Sequence, residues 1–332
     1  MNDDPIASIN LTHLEDLRKS GLLDETILES GIRSLRYIDI DKTIGYPTHA
    51  RSAYEVPYPG TDYSRYRMFY DEANKFDPKI GDSRPKYLCK KDSKNRLYIP
   101  PKVRSILEDL SVPLYITEGE KKALKACQEG ISCIAIAGLW NWSDGNKELI
   151  SDFDQIALEG RTIYIVPDSH FQEPNRHGKL KNLKQAVHEM VYRLIDCGAK
   201  VYWVELTKSD IEVKLDDYLC EHTVEDFKKL PMHPIRKLTI QEMIGCCTPD
   251  TPFDEIKELL KRIAEVKFES EKTAYINKLS EKTNISVRAL RTDLKSLVGN
   301  DDGNGTKENL QTTASANFQG LIDVVIDDSG NV

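Results

Sequence analysis

Residues 112–130, VPLYITEGEKKALKACQEG, decide the fold class of this chain. A short apolar run ends at the carboxylate of Glu118, and a helical stretch follows that Gly130 is suited to cap. Three more apolar runs predict buried strands: ISCIAIAG (131–138), RTIYIVPDS (161–169) and AKVYWVEL (199–206). The stretch 179–198 between the last two predicts a long amphipathic helix closed by Gly198. Apolar strands that alternate with helices predict a parallel α/β sheet.

The segments on either side have a different character. Residues 9–30 predict two short helices, and 45–104 hold Tyr-rich runs broken by Pro and Gly, which favour a small β-rich subdomain. After 220 the pattern is helical, with Ser286 as the N-cap of the last helix. The predicted organisation is a helical segment (1–44), a basic β-rich subdomain (45–110), an α/β domain (111–230), a helical domain (235–298), a linker (299–316) and a tail that starts a further domain (317–332).

Charge and composition narrow the class of protein. The net charge is −8, yet residues 79–104 carry nine basic side chains against Asp82 and Asp92, a local excess of seven positive charges. Such a patch is typical of phosphate-backbone binding, and a solvated surface loop is the alternative. No apolar run approaches the roughly 20 residues of a membrane span. The seven cysteines form no CxxC pair, so we expect reduced thiols, a cytoplasmic protein and no zinc module.

Two carboxylates fall at the ends of predicted strands. Glu118 ends the first α/β strand and Asp168 the third, and the carboxyl ends of parallel strands share one edge where ligands bind. Hard oxygen ligands suit Mg²⁺ or Mn²⁺, and Asp216 or Asp217 in KLDDYL follows the fourth strand and would join the site. Acids at strand ends also serve as helix caps, which is the structural alternative.

The motif order ITEGEKKAL, GLWNW, YIVPDSH, GAKVYWVEL and KLDDYL resembles the Toprim-like domain of unknown function in phage and plasmid primase-like proteins. The resemblance extends over roughly residues 12–220, and the order is also similar to the polymerase core of bacterial replicative primase. It implies a Toprim-like parallel sheet flanked by helices, with an N-terminal mixed α+β subdomain and a C-terminal helical region.

The resemblance also implies roles for particular residues. Glu118 would be a general acid/base or metal ligand, and Asp168 the first acid of an Asp-x-Asp metal motif. His170 stands where that motif has its second acid, and imidazole is a poor ligand for Mg²⁺ but a good one for Mn²⁺, Zn²⁺ or Ni²⁺. Three outcomes stay open: a different metal, recruitment of Asp216 or Asp217, or loss of catalysis with binding retained.

The resemblance implies a DNA primase-like nucleotidyltransferase that acts in phage, plasmid or other mobile-element replication on single-stranded DNA and nucleoside triphosphates, with a helicase domain or protein as a further partner. The predicted nucleic-acid or nucleotide contacts are Lys86, Lys90, Lys91, Arg96, Lys121 and Lys122. Tyr87 and Tyr98 would stack on bases or pack in a small core, and Trp140 and Trp142 would line the crevice or cover the sheet edge. The alternatives are a Toprim nuclease and a catalytically degenerate nucleic-acid-binding module.

Overall fold

The computed structural model describes residues 5–79, 81–170, 183–207, 210–299 and 324–326. The chain divides into two compact units, Met1–Ile235 with Ile326–Val332, and Arg236–Val325. Within the described ranges, no helix is long and apolar enough to cross a membrane.

The first unit begins with short helices and an antiparallel sheet. Helices α1 (Leu11–Lys19) and α2 (Asp24–Glu29) confirm the two helices predicted for residues 9–30, and α3 is Ile40–Ile44. The sheet has the order β1 (Arg33–Ser34), β2 (Ser52–Pro57), β3 (Ser64–Phe69), β6 (Tyr87–Cys89), while β4 (Phe76–Asp77) and β5 (Asp82–Ser83) pair separately. One face of β3 packs Tyr66 and Met68 against Ile40 and Ile44 of α3, because side chains alternate between the faces of a strand.

The second sheet is mixed. Its strands are β7 (Leu97–Tyr98), β8 (Leu114–Glu118), β9 (Cys133–Ile136), β10 (Thr162–Val166), β11 (Lys200–Val204), β12 (Met232–Lys237) and β13 (Val324–Ile326), in the order β13-β12-β11-β10-β8-β9-β7. The four predicted strands pair in parallel, as expected. Two antiparallel strands were not predicted: β7 pairs with β9, and β12 with β11. β7 has only two residues, and the half-exposed β12 contains Pro234, so neither forms an apolar run.

Helices flank this sheet. They are α4 (Glu120–Gln128), α5 (Leu183–Asp196), α6 (Leu215–Glu221) and α7 (Val224–Phe227). The predicted helix at 179–198 is confirmed from Leu183 onward, and residues 179–182 lie outside the described part of the chain. α5 buries Val187, Val191 and Leu194, the apolar face that its periodicity predicts.

The second unit is helical, with α8 (Ile240–Cys246), α9 (Phe253–Ala264), α10 (Glu269–Thr283) and α11 (Val287–Gly299). Its core holds Leu259, Ile276 and Leu290, each at most 1% exposed. The Ser286 hydroxyl accepts a hydrogen bond from Ala289 N at 3.3 Å, as expected of an N-cap. The linker predicted at 299–316 lies outside the described residues except for Gly299, and the tail predicted at 317–332 is described only at 324–326.

Candidate functional site

Strand β8 is the point at which the strand order of the mixed sheet reverses. α4 leads from β8 to β9 on one side, and β10 pairs with β8 on the other. Thr117 pairs with Val166, so Glu118 and Asp168 follow neighbouring parallel strands at the same edge. In open α/β sheets this switch point is where ligands bind. We refer to this region of the switch point, at the carboxyl ends of β8 and β10, as the carboxyl-edge crevice. It is defined by Glu118, Gly119, Lys122, Gly138 and Asp168.

The turn from β8 into α4 is a single residue. Gly119 has φ +99°, a left-handed conformation that residues with a side chain rarely adopt, and α4 begins at Glu120. This turn places Lys122 in the first turn of the helix, where its ammonium donates to Asp168 Oδ1. Burial raises the pKa of Asp168, and the ammonium of Lys122 offsets only part of that effect. Asp168 is therefore held by a cation that belongs to the chain itself.

Asp216 and Asp217 lie in the first turn of α6, which packs against α4. Asp216 is 6% exposed, and its Oδ1 has no hydrogen-bond partner within the described part of the chain. Burial and the neighbouring Asp216 raise the pKa of Asp217, against the opposing charges of Lys214 and Lys122. Lys122 therefore stands within electrostatic reach of Asp168 and of Asp217.

The predicted divalent-metal site can be tested against this arrangement. Among the residues that the structure describes, no group of three or more His, Cys, Asp and Glu side chains is placed to hold a metal ion. His170 is half-buried and follows Asp168 by two positions, but it joins no such group. With Lys122 on Asp168, the set Glu118, Asp168, Asp216 and Asp217 does not fit a resident Mg²⁺ or Mn²⁺, which needs several free oxygen ligands.

The basic segment reaches the same edge of the sheet. β7 runs antiparallel to β9 and its first residue, Leu97, pairs with Ile136, the last residue of β9. The residues that lead into β7 therefore arrive at the carboxyl edge, and Asn95 fixes them there by donating its side-chain N–H to Ser143 O at 2.8 Å. Three lysines of the basic segment that flank β6 are exposed and make no ion pair with any described residue: Lys86, Lys90 and Lys91.

Two other predicted phosphate contacts are engaged within the protein. Arg96 Nε lies 2.8 Å from Asp152 Oδ2, and that oxygen also accepts from Leu97 N at 2.8 Å. Lys121 Nζ lies 3.0 Å from Asp16 Oδ2. The structure thus places both cations in ion pairs that tie elements together, whereas the sequence suggested contacts with nucleic acid or nucleotide.

Sequence reasoning missed Arg65 of β3. Its Nη1 lies 3.0 Å from Glu120 Oε1 and 2.9 Å from the carbonyl oxygen of Ala137, which directly follows β9. Its guanidinium also lies over the Tyr87 ring, 4.9 Å from the centroid. The alternation of Arg65 and Arg67 in SRYRMF indicates two cations on one strand face, but nothing local indicates what that face covers.

The aromatic candidates separate by burial. Trp140, in the loop after β9, is 43% exposed, while Trp142 is 1% exposed and Tyr98 is fully buried. Tyr87 is half-buried beneath Arg65 and Arg67. Of these four rings, Trp140 is the one with substantial exposure at the carboxyl edge. Tyr98 packs in the core, the second of its two predicted roles.

A pocket of about 580 Å³ lies elsewhere in the first unit. Residues at its wall include Tyr37, Asp41, His49 and Arg51. None of the predicted site residues contributes to it, and it contains no strand end of the parallel sheet. Strand-end geometry, not pocket size, therefore identifies the candidate site.

Residues 104–226 match the model of a domain of unknown function, DUF3854. This range contains the carboxyl ends of all four parallel strands, and it is narrower than the resemblance noted from the sequence. A comparison with curated proteins finds no match.

Solved structures of primase domains align with most of the chain at low similarity. A DNA primase domain from Pseudomonas aeruginosa has a TM-score of 0.47 and 14% identity, covering 86% of this chain and 92% of that one. A primase from Aquifex aeolicus (zinc-binding and RNA polymerase domains) has a TM-score of 0.45 and 13% identity, covering 85% and 70%. The RNA polymerase domain of a Mycobacterium tuberculosis primase has a TM-score of 0.45 and 9% identity, covering 84% and 93%.

Proposed function

We propose that the first unit binds single-stranded nucleic acid across the carboxyl-edge crevice, as a primase-like protein of DNA replication. The observation that carries the proposal is the arrival of the basic segment at the edge where Glu118 and Asp168 end their strands. Lysines that are exposed and unpaired within the described residues are available to phosphates, since no carboxylate competes for them. A net-acidic chain with one local basic segment favours binding at a defined track rather than over the whole surface.

Two kinds of contact would hold the strand. Lys86, Lys90 and Lys91 would neutralise phosphates, and the indole of Trp140 would stack on a base. Arg65 would not contribute directly, because Glu120 and the Ala137 carbonyl occupy its guanidinium. Its role would be to hold the N-terminal sheet, and with it the basic segment, against α4.

The primase-like character and a place in mobile-element replication rest on the motif order from ITEGEKKAL to KLDDYL. Nucleoside triphosphates as ligands and a helicase domain or protein as partner rest on the same resemblance. The matched domain family has no assigned function, so it adds none to this proposal.

Nucleotidyl transfer dependent on Mg²⁺ or Mn²⁺ is the second candidate. The position of Glu118 and Asp168 at the ends of neighbouring strands, at the switch point, favours this candidate. The contact between Lys122 and Asp168 opposes it. A primer-synthesis assay on single-stranded template with either metal decides this question. Labelled product that is lost in Glu118→Gln supports transfer, shortened template supports a nuclease, and unchanged template with intact binding supports a binding module.

Binding itself is tested by fluorescence anisotropy with a labelled single strand over a range of salt concentrations. The variant is Lys90→Ala with Lys91→Ala. Its matched control is Lys19→Ala with Lys200→Ala, two exposed lysines outside residues 79–104 that make no ion pair with any described residue: Lys19 ends α1, and Lys200 begins β11.

The slope of log K against log salt is negative for such binding. Loss of two phosphate contacts should make it shallower by about 1.4, at about 0.7 per contact for a single strand. Extrapolated from 1 M salt, this slope change corresponds to about 25-fold weaker binding at 0.1 M. The control should keep the wild-type slope. An unchanged slope in Lys90→Ala with Lys91→Ala, or an equal loss in the control, would contradict the proposed track.

A further inference from the structure

The pair formed by Lys122 and Asp168 lies at the switch point of the sheet. Both side chains are largely buried, at 12% and 16% exposed. A surface ion pair contributes little because water screens it, whereas charges removed from water require close compensation. The ammonium of Lys122 supplies that compensation to Asp168, and it also acts on the charge of Asp217.

A cation with these neighbours takes the position that the acids at this edge would otherwise offer to a metal ion. Lys122 donates to Asp168 and lies within electrostatic reach of Asp217, so its ammonium offsets negative charge at both carboxyl groups. A divalent ion bound to Asp168 would meet the ammonium at short range, and like charges at such distances repel strongly in a partly buried site.

We propose that Lys122 is a built-in counterion that fills the cation position beside Asp168 and excludes divalent metal ions from the crevice. The chain substitutes a tethered ammonium for a soluble ion. Removal of the ammonium leaves the largely buried Asp168 without its cation and opens that position to a divalent ion. The proposal concerns the metal alone and does not depend on nucleic-acid binding.

The test compares Mn²⁺ binding by the wild-type chain and by Lys122→Met, followed through the electron paramagnetic resonance signal of free Mn²⁺ and by calorimetry. Methionine keeps the length of the side chain and removes its charge. Lys121→Met is the matched control, because Lys121 is the preceding residue of the same helix but pairs with Asp16. Lys122→Met combined with Asp168→Asn removes the ligand as well as the counterion.

We expect the wild-type chain and Lys121→Met to bind no Mn²⁺ more tightly than about 1 mM, the weak end of the range for oxygen-ligand sites. Lys122→Met should bind at least tenfold more tightly, and the double variant should lose that gain. Tight binding by the wild-type chain overturns the proposal, and so does the absence of any gain in Lys122→Met. The wild-type measurement stands even if Lys122→Met fails to fold, and Lys122→Gln provides a second neutral variant.

Discussion

Arg65 and Glu120 form an ion pair that joins the N-terminal sheet to the first turn of α4, with Nη1 3.0 Å from Oε1. Both side chains are largely buried, at 15% and 3% exposed, and Tyr58 donates its hydroxyl to the same oxygen at 2.6 Å. This contact positions the basic segment relative to the strand ends, because β6 pairs with β3 next to Arg65.

Glu120→Gln should therefore destabilise the first unit. It leaves the guanidinium of Arg65 buried without its counter-charge, and breaking a buried pair in this way costs about 3–5 kcal/mol. Urea unfolding followed by far-UV circular dichroism measures the loss. Glu29→Gln is the control, because it breaks the exposed Lys102–Glu29 pair and should cost less than about 1 kcal/mol. Equal losses in the two variants would show that the buried pair contributes no more than a surface one.

His13 should make the stability depend on pH. Its ring is buried between the hydroxyls of Ser34 and Ser52, at 2.7 and 3.0 Å, and burial lowers its pKa from 6.5 to about 4. Between these two values the unfolded chain binds a proton that the folded chain does not. The neutral His13 ring therefore leaves the free energy of unfolding undiminished above pH 6.5. That free energy falls as the pH drops from 6.5 toward 4. The upper limit of this loss of stability is about 3.5 kcal/mol, at about 1.4 kcal/mol for each pKa unit.

The measurement is the free energy of unfolding from pH 7 to pH 4 in the wild-type chain and in His13→Asn. The variant should show a shallower decline over this range, because asparagine does not titrate. Parallel curves would assign the decline to other groups.

Arg96→Met separates a structural cation from one that binds nucleic acid. Because Arg96 pairs with Asp152, its loss should lower the thermal stability of the first unit while the salt slope of single-strand binding stays at the wild-type value. A phosphate-binding arginine would instead lower that slope by about 0.7 when removed. A reduced slope with unchanged stability would return Arg96 to the set of nucleic-acid contacts.

The two tryptophans of GLWNW should respond differently to substitution. Trp140→Ala should weaken single-strand binding by about 1–3 kcal/mol, the usual contribution of one base stacked on an aromatic ring. Trp142→Phe should alter stability and leave binding unchanged, because Trp142 is 1% exposed. Titration with single-stranded DNA should quench the indole fluorescence of the wild-type chain and of Trp142→Phe. Quenching that persists at full strength in Trp140→Ala would assign it to another tryptophan.

The sequence predicts the parallel part of the sheet because β8, β9, β10 and β11 are apolar runs, and burial on both faces requires such runs. It does not predict β12, whose residues are half-exposed and include Pro234, nor the two-residue β7. These two strands acquire their structure from their neighbours rather than from their own composition.

The candidate site likewise has residues that the sequence predicts and residues that it does not. Glu118 and Asp168 are predictable because strand ends are visible in the sequence. Their partners are not, because Lys122 lies 46 positions from Asp168, and Arg65 lies 55 from Glu120. A pairing over such a distance is fixed by the topology of the sheets, which local patterns do not determine.

Gly119 is the single residue between β8 and α4, so Glu118 and Lys122 are joined by a strand, one turn residue and a helix, with no loop between them. Release of Asp168 by Lys122 then requires only rotation of the lysine side chain. Loop motions take nanoseconds to microseconds and domain motions take microseconds to milliseconds, and this release needs neither. The backbone at this edge can therefore keep one conformation whether the Lys122 ammonium or another cation lies beside Asp168. An exchange of one cation for the other would not change the backbone positions.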